Sequence, residues 1–81
     1  MRSLAMPTDA LDDAIQATVA AAKKAILATA RDQPDRWWTA YHLKNRARNG
    51  WTGGTMDLAL FELLDERALD EGRDLRLRAR V

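Results

Sequence analysis

Two short apolar repeats, each with its own start signal, lie between residues 38 and 69 and constrain the fold most strongly. Thr39 can cap a first helix, because its hydroxyl can accept a hydrogen bond from an otherwise unpaired backbone N–H. The apolar residues that follow at helical spacing are Ala40, Leu43 and Ala47. Asn49 and Gly50 tolerate the left-handed conformation that ends many helices. We therefore expect one helix over residues 39–49.

A second helix is expected over residues 53–67, where Thr52 supplies the capping hydroxyl. Its apolar stripe consists of Met56, Leu60, Leu63 and Leu64. Gly53 and Gly54 would each cost about 1 kcal/mol relative to alanine within a helix. Two interpretations stay open: either a DNA phosphate or a neighbouring helix approaches the backbone closely there, or the helix starts later, at Thr55. Two helices at this spacing form a helix-turn-helix pattern.

The apolar period changes from helical to alternating after Leu69. At the end of the sequence, Leu75, Leu77, Ala79 and Val81 alternate with Arg76, Arg78 and Arg80. A period of two, with one apolar and one basic face, predicts a half-buried strand. Residues 68–70 can pair with this strand across a short turn at residues 71–74. We therefore expect a small β-hairpin over residues 68–81.

The longest predicted element is an alanine-rich helix over residues 8–31, which begins just after Pro7. Its apolar stripe consists of Leu11, Ile15, Thr18, Val19, Ala22, Ile26 and Thr29. Residues 1–7 are expected to be disordered and are too short for a signal peptide. A helix of this length spans roughly 30 Å, more than one small domain needs. Either its end extends past the domain, or residues off the stripe, such as Leu27, form a dimer interface with a second copy.

Three tryptophans divide into an adjacent pair and a single residue. Arg36-Trp37-Trp38 is predicted to form a short strand, because aromatic residues favour strands. Neighbours on a strand face opposite sides, so one tryptophan should enter the core and the other should lie at the rim. The alternative is a platform on which nucleobases stack. Trp51, between the two short helices, is expected to be among the most buried residues.

The net charge of +1 hides two basic zones and one acidic zone. The basic zones contain Arg36, Lys44, Arg46 and Arg48, and then Arg73, Arg76, Arg78 and Arg80. Between them lie Asp57, Glu62, Asp65, Glu66, Asp70 and Glu71. The distribution of charge therefore says more about a nucleic-acid partner than the small net charge does.

The residue types that most catalytic and metal sites need are scarce. The sequence contains no cysteine and one histidine, His42, which we expect at the rim of the fold. The acids at positions 57–66 are expected on a solvated helix face. We therefore expect neither an enzyme nor a bound metal or cofactor. No apolar run reaches the roughly 20 residues that span a membrane, and the lack of cysteine fits a cytoplasmic location.

The order helix, helix-turn-helix and hairpin resembles the winged helix-turn-helix superfamily over roughly residues 36–81. The resemblance implies one α+β domain over residues 8–81, in which the short strand pairs with the hairpin, called the wing. Members of the superfamily mostly bind DNA. The resemblance therefore implies duplex DNA as the partner, the role of a small transcriptional regulator or architectural factor, and the two-fold symmetry of a homodimer.

The resemblance also assigns residues to DNA binding. The first helix of the pair crosses the backbone, the second enters the major groove by its N-terminus, and the wing reaches a groove edge. The residues assigned in this way are Lys44, Arg46, Arg48, Thr52, Gly53, Thr55, Leu58, Arg73, Arg76, Arg78 and Arg80. The basic residues would bind phosphates, whereas Thr55 and Leu58 can touch thymine methyl groups.

The exposed face of the second helix departs from the pattern of the superfamily. It is expected to carry Leu58, Glu62, Asp65 and Glu66, and phosphates repel carboxylates. Either this helix meets DNA only at its N-terminal tip, or the chain is a protein-interaction or assembly module that uses the acidic helix. Another nucleic-acid role is a third alternative.

Overall fold

The computed structural model describes the backbone of residues 2–80 and the side chains of residues 13–80. Within these residues the chain forms three α-helices followed by a two-stranded antiparallel hairpin, which confirms the predicted α+β class. The elements are α1 (Arg2–Asp32), α2 (Ala40–Ala47), α3 (Gly53–Asp65), β1 (Leu69–Glu71) and β2 (Leu77–Ala79).

Helix α1 is longer than the sequence predicts, and part of it extends beyond the core. It begins at Arg2 rather than near residue 8, so Pro7 lies inside the helix. The side chains of residues 13–18 are exposed, and Val19 is the first buried side chain that the structure describes. Ile15 belongs to the predicted apolar stripe but is 54 % exposed, so the stripe is not buried along its whole length. Leu11 lies outside the described side chains.

Both short helices begin at the predicted caps. The Thr39 hydroxyl accepts a hydrogen bond from the backbone N–H of His42 (3.1 Å), and α2 ends at Ala47, earlier than predicted. The Thr52 hydroxyl accepts one from the N–H of Thr55 (3.2 Å). Helix α3 begins at Gly53, so the interpretation that delays its start to Thr55 is wrong.

The core lies where α2, α3 and the hairpin meet the C-terminal half of α1. Its buried residues are Val19, Ala22, Ile26, Ala30, Trp38, Leu43, Ala47, Met56, Ala59, Leu60, Leu63, Leu69, Leu77 and Ala79. The prediction for Trp51 is wrong: it is half-buried at the edge of this cluster. On the two short helices, Leu43, Ala47 and Met56 are buried instead.

Trp38 is the tryptophan that enters the core, with 4 % of its surface exposed. Its backbone N–H donates to the carbonyl of Leu77, and its carbonyl accepts from the N–H of Leu77, both at 2.6 Å. This single bridge ties the segment before α2 to β2. Trp37, its neighbour, is half-buried and lies against the other side of the hairpin, at Gly72. The predicted division between a core and a rim tryptophan is therefore confirmed.

The hairpin differs from the prediction at its turn. Leu69 pairs with Ala79 and Glu71 with Leu77, so the strands are joined by residues 72–76, which we call the hairpin tip. Leu77 and Ala79 are buried as predicted. Leu75 is exposed instead of buried, because it belongs to the turn and not to β2. Val81 lies outside the described residues.

Candidate nucleic-acid interface

The hairpin tip presents two arginines and a leucine on a strained turn. The N–H of Gly72 donates to the carbonyl of Arg76 (2.7 Å), and the N–H of Arg76 donates to the carbonyl of Arg73 (3.2 Å). Between the arginines, Asp74 and Leu75 both have φ of 59°, in the left-handed region. That region costs an L-residue about 1–2 kcal/mol unless it is glycine, and aspartate tolerates it better than leucine. Arg73, Leu75 and Arg76 are all exposed on this turn.

Trp37 supports the tip from beneath. A Cβ atom on Gly72 would lie 2.6 Å from the Trp37 ring, so only glycine fits there without rearrangement. The guanidinium of Arg78 lies 4.3 Å from the centre of the same ring, which is a cation–π contact. Arg78 is half-buried, and its Nε has no hydrogen-bond partner among the described residues. Arg78 therefore holds Trp37 in place and is less free to bind phosphate than the sequence predicts.

An open pocket of about 450 Å³ lies beside this tryptophan. It is lined by Trp37, Gly72, Arg73, Asp74 and Arg76. Among the described residues, neither Arg73 nor Arg76 forms an ion pair. The pocket presents two guanidinium groups and the one exposed carboxylate of Asp74 beside an aromatic ring, so its charge is net positive and suits a phosphate backbone.

A second cationic cluster lies on the other side of the segment before α2. The guanidinium of Arg36 stacks 3.8 Å from the centre of the Trp38 ring. A shallow depression of about 420 Å³ beside it is lined by Arg36, Trp38, His42, Asn45 and Arg46. The bridge between Trp38 and Leu77 connects this cluster to the hairpin. Arg46 was assigned to DNA binding from the sequence, whereas Arg36 was placed in a basic zone but not assigned to DNA, and Asn45 was not assigned. The signal for both is a cationic or amide side chain close to the tryptophan pair in the sequence.

The N-terminal tip of α3 is exposed, but its polar groups already have partners. The hydroxyls of Thr52 and Thr55 lie 3.0 Å apart, and Thr52 also caps the helix. The Nε of Arg48 donates to the carbonyl of Trp51 at 2.7 Å. A Cβ on Gly53 would contact nothing within 4 Å, so no neighbouring helix of the described chain requires glycine there. Space for a phosphate at this tip is therefore open.

Asp57 and Glu62 of α3, and Glu66 just after its end, form ion pairs with lysines of the other helices, whereas Asp65 forms none among the described residues. Lys44 of α2 forms an ion pair with Asp57. Lys23 of α1 pairs with Glu62 at 3.4 Å and with Glu66. These contacts reduce the repulsion that the acidic face would exert on a phosphate backbone. They also engage Lys44, which the sequence analysis assigned to DNA.

Lys23 is the residue whose proton affinity this arrangement changes. The Glu66 carboxylate, which accepts a hydrogen bond from Lys23, raises the pKa of the lysine above its ordinary value of 10.5. Burial acts in the opposite direction, and the hydrogen bond to Glu62 raises the pKa further. The raised pKa favours the protonated lysine, which pairs with both carboxylates at the edge of the apolar contact between α1 and α3.

Two assigned residues take part in contacts within the chain. One Nη of Arg80 donates to the carbonyl of Arg67 (3.0 Å), and its Nε lies 3.5 Å from a carboxylate oxygen of Asp70. Arg80 remains half-exposed and can still face a partner. Leu27 is half-buried and packs against the core, so much of its surface is used within the chain. Self-association through Leu27 remains a prediction.

An apolar patch on α3 was only partly visible in the sequence. Leu58 is 44 % exposed, as predicted, and Phe61, three residues later on the same face, is 69 % exposed. Leu58 and Ile15 line a depression of about 400 Å³ between α3 and α1. Phe61 was missed because it directly follows Leu60 of the buried stripe, and an apolar residue at that position gives no sign in the sequence that its side chain is exposed.

The part of the chain that the structure describes contains no group of three or more His, Cys, Asp or Glu residues placed to hold a metal. The same part contains no helix that is long and apolar enough to cross a membrane. No protein-family model, curated protein or solved structure matches the chain. A function must therefore be inferred from the surfaces described above.

Proposed function

We propose that this chain is a small winged helix-turn-helix domain that binds duplex DNA, as a transcriptional regulator or architectural factor. The observation that carries the proposal is the hairpin tip, where Arg73 and Arg76 are exposed beside Trp37 and form no ion pair among the described residues. Charge without internal partners is available to an external anion. The planar guanidinium of arginine matches the oxygens of a phosphate in both charge and geometry.

The proposed docking uses three contacts. The hairpin tip, as the wing, follows a groove edge, and Arg36 and Arg46 contact the backbone near the start of α2. The N-terminus of α3 enters the major groove with Thr52, Gly53, Thr55 and Leu58, the backbone N–H groups facing phosphate and the side chains facing bases. Lys23 and Lys44 hold the acids of α3 in ion pairs, so that the helix can approach DNA by its tip.

The test is the affinity for a random duplex, measured by fluorescence anisotropy at several salt concentrations. Each phosphate contact releases counterions, so affinity should fall linearly with salt on logarithmic axes. Arg73→Ala and Arg76→Ala should each lower the slope by ~1 and weaken all duplexes similarly. Lys24→Ala, which removes an exposed charge from α1, is the matched control and should leave the slope unchanged. Absence of salt-dependent binding by the unaltered protein would contradict the proposal.

The second candidate function is a protein-interaction or assembly module, which the patch of Leu58 and Phe61 favours. Two large apolar side chains on one exposed helix face form a contact site that a partner helix can cover. Phe61→Ser separates the candidates, because it removes the exposed ring without placing a negative charge near Leu58, which is proposed to enter the groove. It should leave DNA affinity nearly unchanged if the first proposal holds, and it should abolish partner capture if the second does.

A further inference from the structure

Leu75 occupies a position where a leucine is costly both to the backbone and to the surface. It is 78 % exposed, more than any other large apolar side chain that the structure describes. Its backbone and that of Asp74 are both left-handed, with φ of 59°. Two consecutive left-handed residues correspond to the central positions of a type I′ turn, which favour Asn-Gly or Asp-Gly. A glycine at position 75 would suit the turn better and would expose no apolar surface.

The turn holds this leucine in a fixed place. Hydrogen bonds from Gly72 to Arg76 and from Arg76 to Arg73 close the loop on either side of it. Beneath the loop, the Trp37 ring packs so closely on Gly72 that a methyl group would not fit. The apolar tip is therefore supported by the rest of the hairpin, and it projects between two exposed arginines.

We propose that Leu75 is a wedge that inserts between base pairs from the minor groove and bends the duplex. The proposal rests on the proposed DNA binding. Arginines are favoured in the minor groove, where the potential is most negative, and Arg73 and Arg76 flank the leucine on both sides. Apolar side chains inserted between base steps unstack them and kink the duplex. Backbone strain clusters at functional sites and persists where the surrounding structure enforces it, as the closed turn and the Trp37 ring do here.

The ligand is duplex DNA with a flexible pyrimidine–purine step, at which unstacking costs least. The wedge therefore gives the hairpin tip a preference for deformable sequences without a hydrogen bond to any base. It also favours the role of an architectural factor over that of a simple repressor, since the product of binding is a bent duplex.

The test compares the unaltered protein with Leu75→Gly and Leu75→Met on a short duplex that carries a dye at each end and 2-aminopurine beside a central TA step. We expect the unaltered protein to bring the ends closer and to increase 2-aminopurine fluorescence. Leu75→Met should retain both signals, because it keeps a large apolar side chain. Leu75→Gly should lose both and keep the salt slope, because the arginines remain.

Thermal unfolding of the same variants separates the wedge from a structural role. Leu75→Gly should raise the midpoint by about 4 °C, since glycine relieves the left-handed strain in a domain of this size. A variant that is more stable and yet fails to bend DNA excludes unfolding as the cause. A lower midpoint for Leu75→Gly would show that the leucine supports the fold, and it would overturn the proposal.

The outcomes distinguish the wedge from DNA binding itself. Unchanged bending by Leu75→Gly, with normal salt-dependent binding, overturns the wedge and leaves the proposed function in place. No binding by the unaltered protein at low salt overturns both. If vesicles of anionic lipid bind the unaltered protein but not Leu75→Gly, while DNA bending is equal for both, the tip serves a lipid surface and the wedge is again overturned.

Discussion

The outer face of α3 and the hairpin tip both carry clustered charge, but they differ in how many of their charged side chains form ion pairs within the chain. On α3, Asp57 and Glu62 pair with lysines of the other helices, as does Glu66 just after the helix, whereas Asp65 forms no ion pair among the described residues. At the tip, Arg73 and Arg76 form no ion pair within the described chain. A cluster of charge in a sequence therefore does not identify a binding surface until the internal partners of each residue are known.

The two regions differ in backbone strain as well. Helix α3 begins at a threonine cap, runs without a break and ends at Asp65, and its charged residues stabilise the packing against α1 and α2. The tip joins two very short strands through two left-handed residues, neither of which is glycine. We infer that the first region is organised for stability and the second for contact with a partner. The predictions below test that contrast from the largest effect to the smallest.

The largest effect is expected from the tryptophan that links the hairpin to the helices. Trp38→Ala should lower the free energy of unfolding by about 3–5 kcal/mol, because it empties a large volume of the core. Trp51→Ala should cost much less, since Trp51 is half-buried at the edge of the cluster. Denaturant unfolding of both variants measures the difference. Equal losses would show that the division of the tryptophans between core and edge is incorrect.

The next effect concerns the glycine beneath the tip. Gly72→Ala should destabilise the domain by about 1–3 kcal/mol, because its Cβ would collide with the Trp37 ring and force a shift. Gly54→Ala is the control: a Cβ there contacts nothing within 4 Å, and alanine should stabilise α3 by up to about 1 kcal/mol. If Gly72→Ala is as stable as the unaltered protein, Trp37 does not support the hairpin tip in the manner described.

The smallest effect concerns the ion pairs of Lys23 on α1 with Glu62 and Glu66. Lys23→Met should lower the free energy of unfolding by less than about 1 kcal/mol near pH 7, because both partners are substantially exposed. The pKa of Lys23 is raised in the folded state, so its contribution is fully present below about 10.5 and is lost as the pH rises through the folded pKa.

The check is the difference in urea midpoint between the unaltered protein and Lys23→Met, followed from about pH 7 to about pH 11. The difference should shrink at the alkaline end. Lys24→Met, on an exposed part of α1, should show no such trend. A difference that grows with pH would contradict the sign of the pKa change.

Features that depend on local chemistry were predictable from the sequence. Thr39 and Thr52 cap their helices because a hydroxyl beside unpaired N–H groups has the same effect in most folds. The buried stripe of α3 follows from the helical period of about 3.6 residues, and the burial of Leu77 and Ala79 follows from the two-residue period of a strand. These patterns were sufficient to predict the α+β class and the order of the helices and strands.

Features that depend on distant partners were not predictable. Nothing local distinguishes Trp38 from Trp51, because burial is decided by which space the other helices leave empty. The turn moved to Asp74-Leu75, a pair without a glycine, because the strands pair as far as Glu71 and Leu77. Lys44 and Arg78 looked like free cations in the sequence. In the structure, Lys44 forms an ion pair with Asp57, and Arg78 forms a cation–π contact with the Trp37 ring.

The most direct test of the account is an NMR titration in which a short duplex is added to ¹⁵N-labelled protein at low salt. If the proposal holds, the largest chemical-shift changes occur at the hairpin tip, at Arg36 and Arg46 and at the N-terminus of α3, and they weaken as salt is added. Changes confined to the surface around Phe61, or no change at low salt, would contradict the claim that the hairpin tip is a DNA-binding surface.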